Sequence, residues 1–395
     1  MAISADELFL RQALELAAHG EGLAAPNPMV GAVIVDERGR IVGSGTHRYA
    51  EMKHAEVLAI EEAGERARGN TMYVNLEPCS HTGRTGPCAD AVIQAGIARV
   101  VCCMEDPNPR VAGRGFDRLR EAGIEVEAGL LQDEARRLNE SFTQYIRTGL
   151  PFVTLKAAMS LDGKIAGRAA RTASTAIGSS SYITGEAARN QVQRMRHASD
   201  AIMVGVGTVI ADDPLLTDRS GLERRRRLLR VILDSTLRLP LNSRVVETAQ
   251  DDVIVFCSFA EENKRRELEE RGVRVRQVEI ETPTPDNYPQ PHGGRPDLYR
   301  VFAMLGEEEI TSLLVEGGAV VNWACLRSRV VDKLVLFFTP RIFGPTGTVP
   351  WLDGDYGLPL DATLHCSDLT LARYGDDFAA ECYLRDPYQP LGPQG

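Results

Sequence analysis

Two short stretches of this chain carry residue types that do metal chemistry: His54-Ala55-Glu56, and Pro78-Cys79 followed by Cys88. Imidazole and thiolate are zinc ligands, and a catalytic zinc keeps three protein ligands with the fourth position left to water. One His with two Cys is such a set. Water held there falls to a pKa of about 7 and becomes a nucleophile at neutral pH. Glu56 is the carboxylate that can take that proton and deliver it. On a mid-helix face, residues two apart point away from each other. The His54/Glu56 spacing therefore works only where the chain enters a helix and the metal sits near its end. Cys88 is expected to open a further helix, where the dipole and free N–H groups favour a thiolate.

The set matches the zinc-deaminase signature H-x-E with P-C-x-x-C, in which Glu is general acid and base and not a ligand. One departure matters: eight residues, Ser80 to Pro87, separate the cysteines instead of two. The longer loop carries His81 and Arg84 and would lie beside the metal, where it could line a substrate pocket. A closed structural zinc is the alternative, with His81 as fourth ligand. It leaves Glu56 without a task and buries a carboxylate at a cost. Packed cysteines without metal are the remaining reading.

The elements that must hold these groups can be read from the hydrophobic pattern. Ser4-Ala5-Asp6-Glu7 is a capping box, and a helix follows to about His19 with Gly20 stopping it. Met29–Val35 and Ile41–Gly45 form a hairpin. A helix over about His54–Ala67, a strand at Thr71–Leu76, a helix at Cys88–Ala95 and a strand at Val100–Met104 come next. Phe116–Glu121 is helical, Ile124–Val126 a short strand, and Asp133–Thr148 one helix. The alternation implies an α/β domain with helices covering a sheet. Thr148-Gly149-Leu150-Pro151 breaks it. Domains are therefore expected at 1–148 and 152–385, with a loose tail at 386–395. The second domain also reads as α/β, with apolar runs at Phe152–Ala158, Ala201–Val206, Leu228–Leu233, Val253–Phe256, Leu313–Val315 and Lys333–Phe338. Thr282–Pro296 reads as a long surface loop. The run Arg224–Arg227 reads as a solvated loop, with a phosphate patch as the alternative.

At 395 residues the chain is too long for one ordinary core. It carries 45 basic and 55 acidic residues, net −10, a poor balance for general nucleic-acid binding. The N-terminus has no basic-then-apolar signal pattern, and no apolar run approaches the ~18 residues of a membrane span. The expected location is cytoplasmic, with no membrane partner. Disulfides are not expected there among the eight cysteines. Cys102, Cys103, Cys257, Cys325, Cys366 and Cys382 read as core or bland thiols.

With these motifs assembled, the chain resembles the bacterial bifunctional riboflavin-biosynthesis enzymes, a pyrimidine deaminase fused to a pyrimidine reductase. The resemblance covers nearly the whole sequence. It rests on Pro26-Asn27-Pro28-Met29-Val30-Gly31, His54-Ala55-Glu56, the loop Glu77–Cys88, and Asp106-Pro107-Asn108-Pro109 with Val111-Ala112-Gly113-Arg114-Gly115. In the second half it rests on Lys156, Ser160-Leu161-Asp162-Gly163-Lys164, Ala211-Asp212-Asp213-Pro214-Leu215-Leu216-Thr217 and Val315-Glu316-Gly317-Gly318.

The resemblance implies a cytidine-deaminase-like α/β/α domain followed by a dihydrofolate-reductase-like α/β domain. It implies zinc and NADPH as cofactors. The implied substrate is a phosphorylated pyrimidine, 2,5-diamino-6-ribosylamino-4(3H)-pyrimidinone 5′-phosphate, which is deaminated before its ribosyl chain is reduced to ribityl. By position, Asn27, His47, His81 and Arg84 match deaminase substrate contacts. His47 by itself would read as a bland surface residue. Lys156, Ser180, Arg196, Leu216, Arg219 and Glu316 match reductase substrate positions, the arginines suiting a phosphate. Met159, Tyr182, Thr208, Asp212, Ser235 and the run Gly318, Ala319, Val320, Val321, Asn322, Trp323, Ala324 match cofactor positions. Ala166–Ser181 departs from the family pattern and is expected to loop over the cofactor, with Tyr182 offering an aromatic face. Nothing in the sequence speaks for or against a homo-oligomer.

Three rival functions use the same residues. A nucleic-acid deaminase is opposed by the acidic balance and the large second domain. A zinc-stabilised scaffold is opposed by an intact His54, Glu56, Cys79 and Cys88. In the third, the deaminase acts alone and the C-terminal domain is non-catalytic.

Overall fold

The structure is a computed structural model that describes residues 3–81, 86–109, 111–167, 182–280, 294–354, 357–359 and 362–389. The chain divides into two compact units between Gly149 and Leu150. The first unit also takes in residues 223–226 and 387–395, so the units are not the contiguous blocks expected from the sequence.

The first unit runs α1 (Ala5–Ala18), β1 (Gly31–Val35), β2 (Ile41–Thr46), α2 (Ala55–Ala63), β3 (Thr71–Val74), α3 (Cys88–Ala95), β4 (Arg99–Cys102), α4 (Arg114–Glu121), β5 (Glu125–Ala128), α5 (Gln132–Leu138) and α6 (Glu140–Thr148). Ser4 caps α1 by accepting from the Glu7 N–H at 3.1 Å, while the Glu7 carboxylate turns to Arg11 and not back to the cap. The sheet order is β2-β1-β3-β4-β5. β1 is antiparallel to both neighbours, and β3, β4 and β5 are parallel. Strands β1, β3 and β4 are almost wholly buried, as strands covered on both faces must be. α2 packs directly on β2: a Cβ on Gly43 or Gly45 would overlap the Ala59 or Ala55 carbonyl of that helix. This close approach fixes where the N-terminus of α2 lies.

The helix expected over Asp133–Thr148 is two helices. Asn139 separates them because its side chain is used elsewhere. Its Oδ1 accepts from the Met29 N–H at 2.8 Å and its Nδ2 donates to the Met29 carbonyl at 3.0 Å. The tail is also not loose throughout. Tyr388 accepts from Thr143 at 2.8 Å and donates to the Arg136 carbonyl at 2.9 Å, and Arg147 donates to the Pro387 and Gln389 carbonyls. Arg224–Arg226 of the arginine run are half-buried and not simply solvated, while Arg227 is exposed: the Arg225 guanidinium lies 4.4 Å from the Tyr49 ring centroid.

The second unit runs β6 (Phe152–Ser160), β7 (Lys164–Ala166), α7 (Glu186–Ala198), β8 (Ala201–Gly205), α8 (Val206–Asp212), β9 (Leu229–Leu233), α9 (Arg244–Glu247), β10 (Val253–Cys257), α10 (Glu262–Glu269), β11 (Val273–Gln277), α11 (Leu298–Glu307), β12 (Ser312–Val315), α12 (Ala319–Arg327), β13 (Lys333–Thr339), β14 (Val349–Pro350), β15 (Ser367–Tyr374) and β16 (Asp377–Tyr383). One sheet has the order β11-β10-β9-β8-β12-β6-β13-β16-β15, and β7 pairs with β14 in a small second one. The strands from β11 to β13 are parallel; β16 and β15 are antiparallel. The apolar runs read from the sequence are the central strands. The charged β11 and the exposed β15 were not legible as strands, because neither has two buried faces.

Cys366 and Cys382 correct the cysteine reading. They are joined as a disulfide with Cα atoms 5.6 Å apart. The β15–β16 register sets Ser367 opposite Tyr383 and so brings the neighbouring cysteines together. Cys102, Cys103, Cys257 and Cys325 are buried free thiols, as expected. No helix among the described residues is long and apolar enough to cross a membrane. Residues 281–293, most of the expected surface loop, lie outside the described part.

Candidate functional sites

His54 is the residue before α2, in extended conformation (φ −81°, ψ 158°). Glu56 is in the first turn of that helix. The change from extended to helical backbone between them lets a spacing of two serve one centre. Cys88 is the first residue of α3. Cys79 follows the end of β3, and its Sγ accepts from the Cys88 N–H at 3.3 Å. The ligand atoms of His54, Cys79 and Cys88 all lie within 4.8 Å of one another. His54 Nδ1 is 2.9 Å from Cys88 Sγ and 3.6 Å from Cys79 Sγ. Zinc bonds of about 2.0 Å to nitrogen and 2.3 Å to sulfur set tetrahedral edges of about 3.5–3.8 Å; the donor set suits zinc in identity and number, the 3.6 Å pair matches such an edge, and the 2.9 Å pair would open by about 0.6 Å around the ion. Among the described residues it is the one such group of three.

The local electrostatics have identifiable causes. The hydrogen bond with Cys88 holds the Cys79 thiol down at about 4, with His54 helping, while Cys88 is pushed up by the same bond and by burial. Cys79 raises His54. Glu56 is only 3% exposed, and burial pushes its carboxyl up to about 7, against the pull of His54. A carboxyl poised near neutrality can both accept and return a proton.

His47 is not the surface residue its sequence context suggested; it is 3% exposed. Its ring lies edge-on to His54 with centroids 5.3 Å apart, and its Nδ1 meets the Lys53 carbonyl at 2.8 Å. Since a carbonyl only accepts, Nδ1 carries the proton, and Nε2 accepts from Asn27 Nδ2 at 3.0 Å. Burial lowers its pKa, which favours that neutral form. The amide of Asn27 is thereby oriented. His81 is exposed on the inserted loop. Arg84 lies outside the described residues.

Sequence reasoning missed Glu77. This carboxylate is 4% exposed and accepts from four backbone N–H groups: Asp106 and Gly113 at 3.0 Å, Gly115 at 2.7 Å and Phe116 at 3.3 Å. It ties the Pro78-Cys79 segment to the start of α4. Gly115 is obligatory there, because a Cβ would overlap the Pro78 carbonyl. The signal in the sequence was a Glu beside Pro-Cys, which by itself does not distinguish a staple from a solvated charge.

In the second unit the expected residues collect at the C-terminal ends of parallel strands, where α/β sheets bind ligands. Lys156 and Met159 are on β6, Glu316 follows β12, Thr208 is in α8 just after β8, and Ser235 follows β9. Arg196 already has partners. Its guanidinium is committed to Glu316 by two hydrogen bonds, 2.7 and 3.0 Å, and it also donates to the Thr217 carbonyl at 3.1 Å. Lys156 Nζ stands 3.8 Å from the same carboxylate. Burial pushes Glu316 up, but Arg196 and Lys156 outweigh it and hold the carboxyl below its usual range, with Arg219 contributing. Burial lowers Lys156 against the pull of Glu316.

Gly318 precedes α12 and its N–H donates to Thr208 Oγ1 at 2.9 Å. Ala319, Val321, Asn322 and Ala324 are buried, Trp323 is half-buried and Val320 is exposed. Tyr182 is exposed, with the Arg189 guanidinium 4.9 Å from its ring centroid. Asp212 is exposed and Leu216 buried. Ser180 lies outside the described residues.

Comparison with known proteins covers both units. Residues 3–104 match the cytidine and deoxycytidylate deaminase zinc-binding region, and residues 151–379 match the RibD C-terminal domain. The chain is 40% identical over 373 residues to the riboflavin biosynthesis protein RibD of Aquifex aeolicus, covering 94% of this chain and 96% of that one. Among solved structures, RibD of Acinetobacter baumannii superposes with a TM-score of 0.79 at 35% identity, over 97% of this chain and 99% of the other. A Thermotoga maritima protein described as diaminohydroxyphosphoribosylaminopyrimidine deaminase/5-amino-6-(5-phosphoribosylamino)uracil reductase gives a TM-score of 0.78 at 34% identity, over 96% and 98%.

Proposed function

The chain belongs to the RibD family of bifunctional deaminase/reductases of riboflavin biosynthesis, and from that premise we propose which substrate it takes and which residues carry each step. Its zinc-binding deaminase domain precedes an NADPH-dependent reductase domain. The deaminase substrate is 2,5-diamino-6-ribosylamino-4(3H)-pyrimidinone 5′-phosphate, and the reductase converts the ribosyl chain of the deaminated product to ribityl. The chemistry named for the Thermotoga maritima protein supports this pair of steps.

The observation that carries the deaminase reading is one buried carboxylate, Glu56, beside a three-ligand His-Cys-Cys group. Zinc held by His54, Cys79 and Cys88 supplies Lewis acidity that makes water nucleophilic at neutral pH. Glu56 takes one water proton and passes it to the ring nitrogen, then takes the proton of the added hydroxyl and passes it to the departing amino group, which leaves as ammonia. Asn27, oriented by His47, holds the ring through its amide, and His81 and Arg84 face the substrate from the inserted loop.

In the reductase, NADPH supplies the hydride. Gly318 and the first turn of α12 hold its pyrophosphate, with Met159, Tyr182, Thr208, Asp212 and Ser235 around it. Lys156, Ser180, Arg196, Leu216, Arg219 and Glu316 hold the substrate. The division of labour follows charge. Arg196 and Lys156 both pair with Glu316, which leaves Arg219 as the cation for the phosphate. We assign the chain to the cytoplasm and exclude nucleic acid as a substrate on its net charge of −10.

The test supplies the diaminopyrimidine phosphate to zinc-loaded protein with and without NADPH, following ammonia and NADPH absorbance separately. Ammonia in both arms, and NADPH oxidation in one, are expected. No ammonia overturns the deaminase assignment; ammonia without NADPH oxidation overturns the reductase assignment.

A further inference from the structure

The segment 217–220 carries Arg219 and has no helix or strand of its own. It is nevertheless held at every residue: the last two turns of α7 tether Thr217, Asp218 and Arg219, and Ser220 Oγ accepts from the Leu222 N–H at 3.2 Å. Arg196 donates to the Thr217 carbonyl at 3.1 Å. Gln193 Oε1 accepts from the Arg219 N–H at 2.9 Å. His197 Nδ1 meets Asp218 Oδ2 at 3.0 Å, and Asp218 Oδ1 accepts from the Ser220 N–H at 2.8 Å. The His197 and Asp218 side chains are 3% and 7% exposed. A carboxylate can only accept, so Nδ1 of His197 carries the proton.

We propose that His197 and Asp218 form a positioning pair that presents Arg219 to the phosphate of the reductase substrate. The proposal rests on the reading of Arg219 as a phosphate contact. Neither residue of the pair matches a substrate or cofactor position. Removing a histidine and a carboxylate from water is costly, and such pairs are a weak source of stability. What this pair does is geometric. A long arginine on an unsupported loop loses much freedom when it binds. Asp218 fixes the backbone on both sides of Arg219, and its partner His197 is anchored on a helix whose preceding residue, Arg196, is locked to Glu316. Binding then requires little further ordering.

The experiment is a double-mutant cycle on the full chain, with NADPH oxidation as the readout and the deaminated phosphoribosyl pyrimidine as substrate. Asp218→Ala is expected to raise KM for that substrate about tenfold, with kcat and the KM for NADPH within about twofold. In an Arg219→Ala background the same change is expected to add less than about twofold. His197→Ala should behave like Asp218→Ala. His197→Asn, whose amide nitrogen falls near the place of Nδ1, should restore most of the loss. Equal factors in both backgrounds, or a fall in kcat with NADPH KM rising in parallel, would mean a general structural role and overturn the proposal. A separate failure is distinguishable: if Arg219→Ala alone leaves KM unchanged, the phosphate reading of Arg219 is wrong and the pair has nothing to present.

Discussion

Replacing Glu56 by Gln keeps the shape of the side chain and removes its ability to carry a proton. Glu56 is 3% exposed. No second carboxylate belongs to the His54–Cys79–Cys88 group among the described residues, and both ring nitrogens of His47 are occupied by Lys53 and Asn27. Asp106, a half-buried carboxyl that also interacts with Cys79, is tied to the Asn108 N–H at 2.8 Å. Positioned acid–base catalysis contributes about 10²–10⁴-fold, or about 3–5 kcal/mol of barrier. Ammonia release by zinc-loaded Glu56→Gln should fall by that factor, with zinc content and reductase turnover of the deaminated substrate unchanged. The metal-free protein offers a second readout. Burial raises this carboxyl from 4.5 to about 7. A group whose folded pKa is raised stabilises the fold below its unfolded pKa, and that stability is lost as pH rises through the folded value. Ionising Glu56 thus costs the metal-free first unit about 3 kcal/mol between pH 4.5 and 7. The Gln variant should lack this loss, and its thermal midpoint at pH 8 should exceed that of the unsubstituted chain. Ammonia release above about a tenth of the unsubstituted rate would refute the proton-carrier role.

Three further outcomes follow from the geometry. Chelation of zinc, or Cys79→Ser, should abolish ammonia release while NADPH oxidation on the deaminated substrate persists; joint loss in separate assays would argue against independent sites. Gly115→Ala should lower zinc retention after dialysis, because the new Cβ displaces the Pro78 carbonyl and loosens Cys79. Glu316→Ala leaves Arg196 and Lys156 as adjacent buried cations. It should destabilise the second unit by about 3–5 kcal/mol in a denaturation series and raise KM for the reductase substrate.

The grouping of His54, Cys79 and Cys88 was legible because their chemistry is local. His54 and Glu56 flank one helix start, and Cys88 opens another, so residue type and cap position suffice to group them. Element order in the first unit was legible for the same reason: β1, β3 and β4 are continuous apolar runs and α3 ends at a left-handed Gly96. Misreadings came where a side chain had a distant partner. Asn139 breaks a helix to bond Met29, His47 is buried against Asn27, and Glu77 collects four N–H groups from the segment 106–116. The Cys366–Cys382 link follows from a strand register that periodicity did not reveal, since β15 is exposed on both faces.

The sequence by itself thus determined the metal, the grouping of His54, Cys79 and Cys88 that the structure brings together, and the succession of an α/β deaminase and an α/β reductase. It named Arg196 and Arg219 as two equivalent phosphate candidates. Only tertiary structure distinguishes their surroundings: Glu316, 120 residues from Arg196, pairs with one guanidinium, while Gln193 of α7 holds the backbone of the other. Residue type sets which charge is available, but which charge remains for a ligand depends on what folding brings within about 3 Å of it.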